Sequence, residues 1–142
     1  MPAYQQKNSC LQVFSSLGDD SIIMNSFSGN EGISKPFNFV LNLFTTKDTE
    51  DGSKLLGKNI SWVVSPKGDS KGMWFDGKVI AVKQGHNSLN KTRSLTVEVV
   101  PWFFLLKQTK SRKVWVQKSL KDITDEILKK YPDAKFELKL SE

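Results

Sequence analysis

The chain has 142 residues, 38% of them hydrophobic, enough for one domain that buries roughly 70% of the surface its unfolded form exposes. No apolar run approaches the ~20 residues of a membrane helix, and residues 1–9 are polar, so a signal-peptide route is not expected, whereas export by a dedicated machine stays open. The single Cys10 and single His86 exclude a disulfide framework and the usual Cys/His zinc site, while the net charge of +6 invites an acidic partner or nucleic acid.

Period-two alternation dominates the chain. Residues 11–15 form a first short strand, and 16–20, with Gly18 and two acids, a turn. Residues 22–27 are a second strand, followed by a connection over 29–32 whose glycines can take positive φ. Residues 37–44 are the clearest strand: Phe37, Phe39, Leu41 and Leu43 share one face, and Asn38, Val40 and Asn42 the other. The stretch 45–54, carrying Asp48, Glu50, Asp51 and Gly52, is a loop. After Leu55-Leu56-Gly57-Lys58, residues 60–64 form a strand, and Pro66-Lys67-Gly68-Asp69 turns it into a hairpin. Residues 73–83 are long for one strand, and Asp76-Gly77 predicts a bend or bulge in it. A polar turn over 84–91 holds His86, and Leu95, Val97 and Val99 mark the next strand, ended by Pro101.

Trp102-Phe103-Phe104-Leu105-Leu106 reads as a compact apolar plug, and Val114-Trp115-Val116 as one more short strand. The one convincing helix covers 120–130: Ser119 caps it, Asp122 completes a capping-box pair, and Leu120, Ile123, Ile127 and Leu128 make its apolar stripe. Lys129 and Lys130 suit the negative end of its dipole, and Pro132 stops it. Phe136, Leu138 and Leu140 then alternate, so a further strand is expected, and with it a longer natural protein. Seven or eight short strands and one late helix predict a mainly β, antiparallel barrel-like domain over 1–142.

Signatures of chemistry are absent: no G-x-S-x-G elbow, P-loop, G-x-G-x-x-G or H-E-x-x-H occurs. Asp19 and Asp20 read as solvated turn residues, Asp125 and Glu126 as charges on the wet face of the helix, and His86 as a surface residue. No catalytic, cofactor-binding or metal-binding residue is therefore assigned, and an enzyme is not expected. The exception to mixed charge is 107–121, where Lys107, Lys110, Arg112, Lys113, Lys118 and Lys121 stand without an acid. That run is either a solvated face or a surface for phosphates or an acidic protein. Trp62, Trp74, Trp102 and Trp115 could stack on bases, but each lies in an apolar or alternating segment, which favours packing for at least three.

The order of motifs carries more. Ser28-Gly29-Asn30-Glu31-Gly32-Ile33-Ser34-Lys35-Pro36-Phe37, running into the alternating strand, resembles the opening signature of VgrG proteins and of phage late-control and tail-hub proteins. Leu55-Leu56-Gly57-Lys58, Trp74-Phe75-Asp76-Gly77-Lys78-Val79, Val99-Val100-Pro101-Trp102, Arg112-Lys113-Val114-Trp115 and Lys118-Ser119-Leu120-Lys121-Asp122-Ile123 resemble later family motifs in the right order. Asn30 and Val40 stand where an acid is frequent in that family, and Trp115 takes the place of a Phe.

The resemblance implies the first barrel of a hub whose second barrel, oligonucleotide-binding-like domain and β-helical spike lie outside this chain. It implies a structural role in a contractile injection machine: a trimer in the full-length protein that adapts a hexameric tube protein to a puncturing spike among baseplate proteins. Such a protein is made in the bacterial cytoplasm and exported by the machine. Within this reading Arg112 and Lys113, from the acid-free run, are assigned to a protein contact surface. The alternatives are a phage tail baseplate hub and a small basic barrel that binds nucleic acid.

Overall fold

A computed structural model of the chain describes residues 5–46, 51–66, 71–87 and 92–139. The chain divides into two compact units, Met1–Pro101 and Trp102–Glu142. The first holds six strands: β1 (Leu11–Phe14), β2 (Ile22–Gly32), β3 (Lys35–Thr45), β4 (Asn59–Val64), β5 (Met73–Asn87) and β6 (Arg93–Val100). They form one sheet in the order β1-β4-β5-β6-β3-β2, antiparallel throughout.

The sheet curls because its inner face is filled by aromatic rings contributed from both ends of that order. Phe27 of the edge strand β2 packs on Trp62 of β4 and Phe75 of β5, with ring centroids 5.9 and 5.6 Å apart. Trp62 is fully buried, lies parallel to Phe75 at 5.2 Å and meets Phe39 edge-on at 5.4 Å. Around these rings pack Val13, Ile22, Met24, Leu41, Leu43, Ile60, Val79, Leu95, Val97 and Val99. Leu55, from a 3₁₀ turn over Gly52–Leu55, joins the same core.

Two bulges let long strands keep that core filled. In β2 the register shifts between Met24 and Ser26, so Met24 and Phe27 both face inward although three positions apart. In β5 the shift between Val79 and Ala81 does the same for Val79 and Val82. The irregularity expected at Asp76-Gly77 therefore lies further along: Asp76 and Gly77 pair regularly with Ser61 and Ile60. Gly77 answers to packing instead, because a Cβ there would stand 2.6 Å from Val99 Cγ1 and 2.9 Å from the Val100 carbonyl. At Lys78 the strand passes from pairing with β4 to pairing with β6.

The glycines expected to form the connection after the second strand lie inside β2, where Gly29 pairs with Phe39 and Gly32 with Lys35. The turn is Ile33-Ser34, and the positive φ falls on Ser34, at 61°. Of the polar loop expected over 45–54, Thr45 belongs to β3 and Gly52–Leu55 to the 3₁₀ turn, while 47–50 lie outside the described residues. The turn expected around Lys67-Gly68-Asp69 also lies outside them, and of the polar turn expected over 84–91, residues 84–87 instead continue β5 while 88–91 lie outside the described residues. His86 stands exposed near the end of β5.

The open edge of β1 is covered by a side chain. The buried Gln6 amide donates from Nε2 to the Val13 carbonyl and accepts the Val13 N–H at Oε1, both at 2.8 Å. It thus takes the place of a neighbouring strand at Val13. Its own N–H donates to Asp20 Oδ1 at 3.0 Å, and Asp20 holds φ at 56°. Gln6→Ala strands two buried backbone groups, so we expect a loss of about 1–3 kcal/mol, measured as a lower urea midpoint.

The second unit contains a 3₁₀ helix, Trp102–Gln108, and one α-helix, α1 (Leu120–Leu128). Ser119 caps α1 as expected, its hydroxyl accepting the Asp122 N–H while Asp122 accepts the Ser119 N–H. Leu128 is buried, Ile123 half-buried, and Leu120 and Ile127 exposed. The expected apolar plug is a helix rather than a buried knot: none of its side chains is buried, and Phe103 is 55% exposed. The strands expected at Val114-Trp115-Val116 and from Phe136 do not form among the described residues, and Leu140 lies outside them. A strand is held by its ladder partner; no described segment pairs with these, and Val114 and Val116 are 85% and 71% exposed. The mainly β, antiparallel class with one late helix holds, with six strands.

Candidate interaction surface

The acid-free run is organised around Trp115 in the second unit. Lys113 Nζ lies 4.2 Å and Lys118 Nζ 5.3 Å from the centre of its ring. Both ammonium groups also converge on Glu126 of α1, Lys113 on Oε1 and Lys118 on Oε2, the latter at 2.5 Å. Gln117, between them, takes a positive φ of 53°. A carboxylate near a helix C-terminus opposes the dipole, and the two lysines offset this. The capping box starts α1 at Ser119, one residue after Lys118, so the helix begins where the clamp ends.

The hydrogen bonds from Lys113 and then Lys118 hold the Glu126 carboxyl down to about 2. Its folded value lies below the ordinary 4.5, so the contribution of the clamp is complete above that value and is lost as pH falls toward about 2. We expect the Trp115 indole resonance to move with a midpoint near pH 2 and to sit at its shifted position at neutral pH in Glu126→Gln.

Arg112 and Lys113, assigned together from the sequence, are separated by this geometry. Lys113 is committed to Glu126 and Trp115. Arg112 is exposed and borders an open concavity of about 460 Å³ with Thr109, Lys110 and Ser111. The Thr109 hydroxyl meets the Tyr131 hydroxyl at 2.8 Å just beyond α1. Glu126, read as a solvated charge, is the organising group of the segment. Lys113 and Glu126 are thirteen residues apart, which local charge patterning does not reach.

The four tryptophans separate too. Trp62 is core; Trp74 is exposed and stacks on Phe14 at 5.4 Å; Trp102 is half-buried, edge-on to Phe103; Trp115 lies against the lysines. Asp19 is an exposed turn residue, and its neighbour Asp20 accepts the Gln6 N–H. Among the described residues no three His, Cys, Asp or Glu side chains gather as a metal site would need. No described helix is long and apolar enough to cross a membrane.

The family model of the phage tail baseplate hub matches residues 30–142. The type VI secretion system spike protein VgrG1b of Pseudomonas aeruginosa is 27% identical over 139 residues, covering 98% of this chain and 18% of that protein. Among solved structures, the E. coli c3393 protein superposes with a TM-score of 0.71 at 14% identity, over 87% of this chain and 33% of that one. It is a component of the type VI secretion system with structural similarity to the T4 bacteriophage tail proteins gp27 and gp5. This chain therefore spans well under half the length of either relative. With residues 30–142 matched by the hub model, the chain belongs to the phage tail baseplate hub family and is VgrG-like.

Proposed function

We propose that the chain is a structural part of a contractile injection machine of the type VI secretion kind, working by shape rather than by catalysis. The observation that carries this reading is the hub-family match over residues 30–142, laid on a curled six-stranded barrel whose interior is filled by side chains. On this reading it is the first barrel of a longer hub. Three copies of the full-length protein join a hexameric tube protein to the spike, baseplate proteins surround them, and the machine carries the assembly out of the cell. A phage baseplate hub is the same mechanism in a different machine. Arg112 belongs to a contact surface, as assigned from the sequence; Lys113 supports that surface through its clamp.

Deleting the gene in its host tests the reading. Tube protein then disappears from the culture medium, and wild-type gene in trans restores it; undiminished release overturns the proposal. The parts that make a spike trimer lie elsewhere in such a hub. We therefore expect this chain alone to run as a monomer in light scattering at micromolar concentration, and a stable trimer peak would contradict that.

A further inference from the structure

The geometry points to a carboxylate-binding site between Lys110 and Arg112 that takes an acidic segment of another protein. It goes beyond the hub reading and stands without it. The site is an arc of four consecutive residues, Thr109-Lys110-Ser111-Arg112, around the 460 Å³ concavity. The arc is anchored at both ends near α1: Thr109 by the Tyr131 hydroxyl, and the chain just past Arg112 by Lys113 and Lys118 on Glu126. Anchoring of this kind reduces the ordering entropy a loop loses on binding.

The clamp also sorts the charges. Glu126 satisfies Lys113 and Lys118, whereas Lys110 and Arg112 have no acid beside them among the described residues. No acid lies within 107–121 to fill the concavity from within. A guanidinium fork, an ammonium and two hydroxyls on one concave arc match the oxygens of a pair of carboxylates. Phosphates share that charge, but nucleic acid binds such grooves with an open aromatic face for its bases. The aromatic side chain of this segment, Trp115, has its ring occupied by the two lysines. An acidic protein segment is therefore the better fit.

The test uses a fluorescein-labelled hexaglutamate peptide, followed by anisotropy on the full chain at low and physiological salt. A Lys110→Gln, Arg112→Gln double variant is expected to weaken binding about tenfold. Lys35→Gln with Lys83→Gln removes the same charge from exposed positions of the barrel unit and is expected to change it less than about twofold. Circular dichroism confirms that both variants fold. Equal losses in the two double variants reduce the effect to net charge and overturn the site, as does absence of peptide binding. Tighter binding of oligothymidylate with the same dependence on Lys110 and Arg112 overturns the acidic-protein assignment in favour of nucleic acid.

Discussion

Trp62→Ala lowers the stability of the barrel unit by about 3–5 kcal/mol, the range for truncating a buried aromatic. The ring touches Phe27, Phe39 and Phe75 at centroid distances of 5.2 to 5.9 Å, and these come from β2, β3 and β5. Its removal leaves a cavity at the point where strands from both ends of the sheet meet. The surrounding rings are themselves held by paired strands, so collapse into the void is limited. Trp62→Phe keeps a ring stacked on Phe75 and removes an indole N–H that is buried without a hydrogen-bond acceptor, a group that itself opposes folding. The Phe variant should therefore lose clearly less than the Ala variant. Urea unfolding of the three proteins checks the order, and a loss below about 1 kcal/mol for Trp62→Ala would mean the cluster is not the centre of the core.

Gly29→Ala is the second large effect, with Gly32→Ala as its internal comparison. Both glycines lie in β2, three residues apart, and neither has a positive φ. A Cβ at Gly29 would stand 2.5 Å from the Asn38 carbonyl oxygen and closer still to the Phe39 ring, whereas at Gly32 it would meet nothing within 4 Å. Phe39 is packed between Phe27, Phe37, Trp62 and Phe75 and has no room to retreat. The strand must move instead, at about 2–3 kcal/mol, the upper part of the overpacking range. Gly32→Ala should stay within about 0.5 kcal/mol of the parent. Equal losses at the two positions would show that chain entropy, rather than the approach of Phe39, governs this hairpin.

These residues also show how much of the structure was legible beforehand. Phe39, Leu41 and Leu43 declared β3 because a half-buried strand alternates, and Ser119 with Asp122 declared the start of α1 because a capping box is local. What failed was non-local. The inward turn of Phe27 depends on a bulge, and alternation carries no signal for a change of parity. Val114-Trp115-Val116 alternates as a strand does, yet pairing depends on a partner segment that a local pattern cannot supply. The family motifs gave the barrel and its relatives but no residue of the contact surface. Charge patterning found Arg112 and Lys113 together and could not know that Glu126, thirteen residues on, would claim one of them. Gln6 left no signal, since one polar residue ahead of a strand has no period.

The Gln6 amide has a consequence for how the edge of the sheet meets other molecules. The open side of a terminal strand is a template on which another chain can lay itself, and growth of that kind has no natural stopping point. At the middle of β1 the outward N–H and carbonyl of Val13 are already taken, by the buried side-chain amide of Gln6. A second molecule arriving there finds no hydrogen bonds to make. That point of β1 is thereby closed to strand addition, and another molecule that meets it does so through side chains.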